Sequence, residues 1–150
     1  MTDARSKLKL LKRVVAVRVR LRDVAAGAAS AAAAHALLAV RGRDDADRVR
    51  EQHTDSAEGR IAEARGGGDL AQYADERVSA RLAVHDADRV VASTRRESDR
   101  ARAALAVRER QLRGVEHARD RVRVEVTRDA DRAEQAAVDD IVGARLGRRE

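Results

Sequence analysis

Apolar residues recur at alternating steps of three and four along two long stretches of the chain. This spacing aligns them on one side of a helix and is typical of the seam of a coiled coil. No other feature constrains the fold as strongly. The first series is Leu10, Val14, Val17, Leu21, Val24, Ala28, Ala31, His35 and Leu38. The second series is Val84, Ala87, Val91, Thr94, Ser98, Ala101, Leu105, Arg108, Leu112, Val115, Arg119, Val122 and Val126.

Two short segments, 17–22 and 122–126, also alternate with a period of two, which is the pattern of a β-strand. Each lies inside one of the two long series, and neither has a Gly or Pro at its ends. Run length therefore favours helix in both places.

The composition supports long helices over a compact globule. The chain has no Trp, no Phe, a single Tyr and no Pro, and 39% of its 150 residues are charged. Ala and Val cannot fill a thick core, because aromatic and large aliphatic side chains bury the most area. High charge with few large apolar residues also describes disordered chains. Because the two series are regular, an ordered helical protein is favoured over a disordered chain.

A cluster of three glycines, Gly66-Gly67-Gly68, separates the two series. Each Gly costs a helix about 1 kcal/mol relative to Ala, so the chain is predicted to turn here. Asp69 is then expected to cap the second helix. The predicted fold is all-α, with two long helices in an antiparallel coiled-coil hairpin. The arms cover about 5–64 and about 70–142, and the turn covers 65–69.

Folding back at these glycines predicts a pairing between the arms. Leu21 would face Leu112, Val49 would face Val84 and Ile61 would face Tyr73. A parallel homodimer would satisfy the same spacing but would leave the triple glycine unexplained. Residues 42–59 contain Val49 as the one sizeable apolar side chain, so we expect this stretch to be mobile.

The residues predict no enzyme, cofactor or metal site. His35, His53, His85 and His117 are too far apart to place two ligands on one helix face. Acidic pairs such as Asp139-Asp140 would be solvated on exposed helices, with nothing to shift their pKa values. The chain has no Cys, which fits a reducing compartment. No secretory signal is visible, and residues 25–40 are expected to be too weakly apolar to cross a bilayer, so a cytoplasmic location is predicted.

The formal net charge of +6 is concentrated near the N-terminus, where Asp3 is the sole acidic residue before position 23. The basic residues there are Arg5, Lys7, Lys9, Lys12, Arg13, Arg18, Arg20 and Arg22. Such a stripe can attract nucleic acid, an anionic membrane or an acidic protein. Nucleic acid is disfavoured because aromatic stacking platforms are missing and the remaining helices mix Arg with Asp and Glu. A protein partner is predicted, with Lys7, Lys9, Lys12, Arg13 and Arg18 in its binding site.

The C-terminal residues carry a more specific pattern. Arg132, Gln135, Asp139, Asp140 and Arg145 are spaced R-x-x-Q-x-x-x-D-D-x-x-x-x-R. This segment resembles the C-terminal segment of the FliJ family of flagellar export proteins. The start at Leu8-x-x-Leu11 and the segment Leu70-Ala71-Gln72-Tyr73 are also similar to that family. The chain departs from it in having Asp140 where Glu is commoner and in having almost no aromatic residues.

The resemblance implies a non-enzymatic, cytosolic part of the flagellar type III protein export apparatus, needed for flagellum assembly and motility. Such a protein is a stalk in the ring of the export ATPase hexamer. It couples that ring to the cytoplasmic domain of the export gate, escorts export chaperones, and meets the membrane only peripherally. The stalk proteins of injectisomes are related and are not separated from it by the sequence. The alternative is a structural coiled-coil scaffold or membrane-surface adaptor unrelated to secretion.

Overall fold

The protein is all-α. The computed structural model describes residues 4–146, with side chains described up to residue 141. It contains helix α1 (Ala4–Asp55), a short helix α2 (Ala57–Glu63) and helix α3 (Gly67–Leu146). No strand occurs within 4–146, and both segments with period-two alternation are helical. The interpretation of those segments as helix is confirmed.

The chain divides into two units, each of which contains part of α1 and part of α3. The described parts of unit 1 are residues 4–24 and 106–146, and unit 2 is Ala25–Leu105. Unit 2 also contains α2 and the turn. Proline is absent and most residues are Ala, Arg, Val, Asp or Glu, so nothing interrupts α1 for 52 residues or α3 for 80 residues.

The buried side of α3 follows the predicted series. All of its positions from Val84 to Val126 are buried or half-buried, including polar members such as Arg108 and Arg119. Tyr73 and Ala80 extend the same line toward the start of the helix. The heptad prediction for this helix is confirmed.

The buried side of α1 does not follow the predicted series. Leu10, Val17, Leu21 and Val24 are exposed, and so are Ala28, Ala31, His35 and Leu38; within the series only Val14 is half-buried. The line that is covered lies one residue later, which is about 100° around the helix. Its members are Leu8, Leu11, Val15, Arg18, Arg22, Ala25, Ala29, Ala32, Ala36, Ala39 and Arg43. The prediction that the series from Leu10 to Leu38 forms the seam of α1 was wrong.

Small residues are among the best covered in unit 2. Ala29, Ala80 and Ser98 are all buried, and Ser98 retains only 4% exposure. Small side chains let helix backbones approach closely, which compensates for the small area that each buries. In unit 1, Leu112 is the buried large apolar residue.

Side chains connect α1 with α3 inside each unit. In unit 1, Arg18 donates to Gln111 Oε1 at 2.6 Å. In unit 2, Arg43 donates to Asp88 Oδ1 at 3.2 Å and Tyr73 donates to the His53 carbonyl at 2.6 Å. The predicted pairing of Leu21 with Leu112 would set Arg18 opposite Val115, so the observed contact differs by about one helical turn.

The connection between α1 and α3 occupies a different place from the predicted turn. A single helix over 5–64 is expected, but the structure breaks it at Ser56, and the nonhelical residues before α3 are 64–66. Gly67 and Gly68 form the first turn of α3, where amides lack helical partners in any case. Asp69 does not cap the amides of its own helix. Its Oδ2 instead accepts from the backbone N–H of Arg65, at 2.9 Å.

Candidate protein-binding surfaces

The basic residues of unit 1 lie on the first turns of α1. Lys7, Lys9, Lys12 and Arg13 are exposed. Their charges are therefore available to a partner in solution, at the position that the sequence predicts. A cluster of like charges on one helix end attracts an acidic surface over roughly a Debye length.

Arg18 differs from the other predicted basic residues. It belongs to the buried line of α1, is half-buried, and donates to Gln111 Oε1. Arg22 is on the same line and pairs with Asp23 at 2.6 Å. The aliphatic stems of both arginines replace apolar side chains in the seam. Arg18 thus has a structural role in holding α1 against α3.

The predicted C-terminal residues lie on the last part of α3, also in unit 1. Arg132 forms an i,i+3 ion pair with Asp129 at 3.5 Å, and Gln135 donates to Asp139 Oδ1 at 3.1 Å. Asp140 is exposed one position later. Arg145 lies in α3 beyond the residues whose side chains are described. The structure thus gathers both predicted sets in one unit, and no contact between the two sets is found among the described side chains.

A surface that the sequence analysis missed runs along α1. We call it the outer line of α1 and define it in unit 1 as Leu10, Val17, Leu21 and Val24. Leu10 is 62% exposed and Val24 is 73% exposed. Their spacing fits a seam and therefore predicts that they belong to the core. Their exposure means that α1 carries a second apolar face in addition to the one that contacts α3.

In unit 2, a cluster of residues around Tyr73 contacts the end of α1. Tyr73 is 6% exposed, and its hydroxyl donates to the carbonyl of His53. An unbroken helix would pair that carbonyl with the N–H of residue 57, so the tyrosine replaces a bond close to the break at Ser56. The guanidinium of Arg60 lies 5.1 Å from the ring centroid, within cation–π range. The predicted neighbour Ile61 is instead 54% exposed.

Two ion pairs in unit 2 shift the pKa values of their members. Glu76 accepts from Arg60 at 2.6 Å and from Gln72 at 3.2 Å, and these hydrogen bonds lower the pKa of its carboxyl below the ordinary value. The hydrogen bond to Asp88, with Asp47 nearby, raises the pKa of Arg43. Both groups are half-buried at the surface, and their shifts follow from pairing. The shifts of these two groups therefore indicate contacts that connect parts of the fold.

The described residues also bear on metal binding and on membrane crossing. Within residues 4–146, no group of three or more His, Cys, Asp or Glu side chains could hold a metal ion. By length and composition alone, α1 is apolar enough to cross a membrane, since an 18-residue window reaches a mean hydropathy of 1.5 with 6% of it buried. This window covers the alanine-rich part of α1. The expectation that residues 25–40 are too weakly apolar to span a bilayer is not supported by this criterion.

No protein-family model matches the chain, and no curated protein and no solved structure is significantly similar to it.

Proposed function

We propose that the chain is an antiparallel coiled-coil hairpin whose function is to bind other proteins. The partners of α1 support the antiparallel direction, because they lie earlier in α3 as α1 proceeds. In unit 2, Arg43 contacts Asp88 and His53 contacts Tyr73. The continuous buried line on α3 and the matching line on α1 support the coiled coil. Exposed charged surfaces on such helices favour recognition over catalysis.

The specific role is that of a stalk in a flagellar type III export apparatus. The observation that carries it is that Arg132, Gln135, Asp139 and Asp140, which give the resemblance to the FliJ family, are all exposed on unbroken helix. The basic residues of α1 belong to the same unit. Exposed side chains on continuous helix suit insertion into a ring, because every backbone group is already paired within the helix.

In this role the end formed by the chain termini enters the export ATPase hexamer on the cytoplasmic side of the membrane. Charges inside a pore are partly desolvated, so complementary contacts there become stronger than on a free surface. The stalk couples the ring to the export gate and escorts chaperones. The basic residues Lys7, Lys9, Lys12 and Arg13 act mainly on the association rate, which falls as salt screens them.

The test is binding to a purified export ATPase hexamer. We expect the variant with Asp139→Ala and Asp140→Ala to lose binding to the ring while its helix content by circular dichroism stays unchanged. The matched control is Glu58→Ala with Glu63→Ala, which removes two exposed acidic residues from α2 and is expected to bind normally. Normal binding by the first variant, or loss only in the control, would refute the placement of the binding end.

A membrane-surface adaptor is the second candidate, and the exposed apolar residues of α1 in unit 2 favour it. Leu37 is 64% exposed and Leu38 is 61% exposed. Flotation with vesicles of neutral and of anionic phospholipid tests this function. Binding that is lost when Leu37 and Leu38 are both changed to Ser would support the adaptor. Binding to the export ATPase without any vesicle association would support the stalk.

A further inference from the structure

The outer line of α1 has the composition of a helix-binding face. Leu10, Val17, Leu21 and Val24 follow the three-and-four spacing of a seam and remain exposed. One flank of the line is basic, with Lys9, Arg13 and Arg20 all exposed. The structure records no hydrogen bond or ion pair for these three side chains among the described residues. The face therefore fits an amphipathic helix with acidic flanks.

The chain itself contains a helix segment of that kind. We call residues 127–141 the tail of α3, and every side chain in it is exposed. At about 100° per residue, Ala130, Ala137 and Ile141 share one face with Val138 at its margin. Asp129 and Asp140 flank this face on one side, and Asp131 and Glu134 flank it on the other. The two arginines of the tail, Arg128 and Arg132, lie on the opposite side of the helix.

The tail cannot reach the outer line of its own chain. Arg18 contacts Gln111, so the first turns of α1 lie beside residues close to Val126 of α3, the last half-buried position of the seam. The tail continues past that point in an unbroken helix, and its side chains from 127 to 141 are all exposed. Reversing the tail onto its own α1 would require a break that α3 does not contain.

We infer that the tail of α3 binds the outer line of α1 in a second copy of this chain. The apolar faces of both segments would become covered. The two helices would run parallel, so the acidic flank formed by Asp131 and Glu134 would meet the basic flank formed by Lys9, Arg13 and Arg20. Each chain supplies one tail and one outer line. A two-fold axis therefore pairs them reciprocally and gives a closed dimer, as isologous interfaces do. This interaction goes beyond the proposed function, because it requires no other protein.

The test is sedimentation of the full-length chain over a range of concentrations, without any partner. We expect a reversible monomer–dimer equilibrium that weakens as salt is raised, because the flanks are oppositely charged. Arg13→Glu with Arg20→Glu reverses the basic flank. Asp131→Arg with Glu134→Arg reverses the acidic flank that faces it, and both residues are exposed. Each double variant alone should raise the dissociation constant by more than about tenfold, because like charges then face each other in both contacts.

Mixing the two double variants provides the sharper experiment. In a mixed dimer, the reversed outer line meets the reversed tail and the two unchanged segments meet each other. Dimerisation should therefore return on mixing, to within about tenfold of the unmodified chain. Asp139→Arg is the matched control for Asp131→Arg alone. It makes the same charge change on the side of the tail away from the apolar face, so it should leave the dissociation constant nearly unchanged.

Three results would overturn the inference. The first is a chain that stays monomeric at tens of micromolar in low salt. The second is dimerisation that survives both charge reversals, and the third is a mixture that associates no better than either variant alone. Circular dichroism of each variant verifies that helix content is retained. Because no export ATPase is present, these results are independent of the test of the proposed function.

Discussion

Helices α1 and α3 distribute their apolar residues in different ways around the helix. α3 has one well-defined heptad line, and that line is covered from Tyr73 to Val126. α1 has two such lines one residue apart, and the line with the more numerous large side chains is the exposed one. A helix with one apolar line is specified by its own sequence. In a helix with two apolar lines, packing against the neighbouring helix determines which line becomes the seam.

The covered line of α1 contains Arg18 and Arg22, which a simple apolar pattern would leave outside. Their long aliphatic stems can pack in a thin two-helix seam while the charged groups reach hydrogen-bonding partners at its edge. Arg18 does so with Gln111. In helices of this composition, an arginine can therefore substitute for a leucine in the seam and leave an apolar line for another contact.

The largest loss of stability is expected when the best-covered leucine of α3 is shortened. Leu112→Ala should lower the free energy of unfolding by about 2–3 kcal/mol, because Leu112 is 8% exposed and its removal leaves a gap in the seam. Leu10→Ala, on the exposed line of α1, should change it by less than about 0.5 kcal/mol. Urea unfolding of dilute protein, followed by circular dichroism, measures both. Equal losses would show that both lines are covered.

Two adjacent alanines test the one-residue shift directly. Ala29 is buried and Ala28 is exposed. Ala29→Leu should destabilise the protein by about 1–3 kcal/mol, because the larger side chain must push α1 away from α3. Ala28→Leu should be close to neutral. If thermal melts instead show the larger loss for Ala28→Leu, the seam of α1 is the line predicted from the sequence.

A smaller effect is expected where α3 holds the end of α1. Tyr73→Phe removes the hydroxyl that donates to the His53 carbonyl and should cost about 1 kcal/mol. The phenyl ring would stay in place, so helix content should not change. Hydrogen exchange should speed up most for amides near residues 53–57. Uniform acceleration over all of α1 would argue that the contact does not act locally.

The smallest change in stability is expected at Glu76, and it depends on pH. Arg60 and Gln72 lower the pKa of Glu76 in the folded state. The stability that this adds is complete above the ordinary pKa of a glutamate and is lost as pH falls through the folded value. Glu76→Gln should therefore be slightly less stable than the unmodified chain at neutral pH. The difference in stability between the variant and the unmodified chain should disappear in acid. Urea unfolding at neutral and at acidic pH measures this difference.

Much of the fold was predictable because it depends on local chemistry. Helix formers without proline predict long helices, and the regular line from Val84 to Val126 identifies the buried side of α3. The break at Ser56 was not predictable, since no residue near it is a strong helix breaker except Gly59. It coincides with a contact to Tyr73, a residue distant in the sequence. The glycine cluster indicated the right region, although two of its members became helical.

For the candidate site, the sequence predicted which basic residues of α1 are exposed. It did not predict which apolar residues of α1 are exposed. Lys7, Lys9, Lys12 and Arg13 are solvent-accessible because they lie off the line of α1 that is covered by α3. The outer line of α1 was missed because the spacing of Leu8, Leu11 and Val15 satisfies a seam as well as that of Leu10, Val14 and Val17. Choosing between them requires the position of α3, which the pattern along one helix does not contain.

Tyr73 is the sole aromatic residue of the chain, and it sits where α3 meets the end of α1. Its ultraviolet absorption, fluorescence and near-ultraviolet dichroism therefore come from one known location, without any introduced label. The far-ultraviolet signal, by contrast, averages over all the helices. Following both signals through the same urea titration shows whether the turn region opens together with the helices. Separate midpoints would mean that the two units unfold in separate steps.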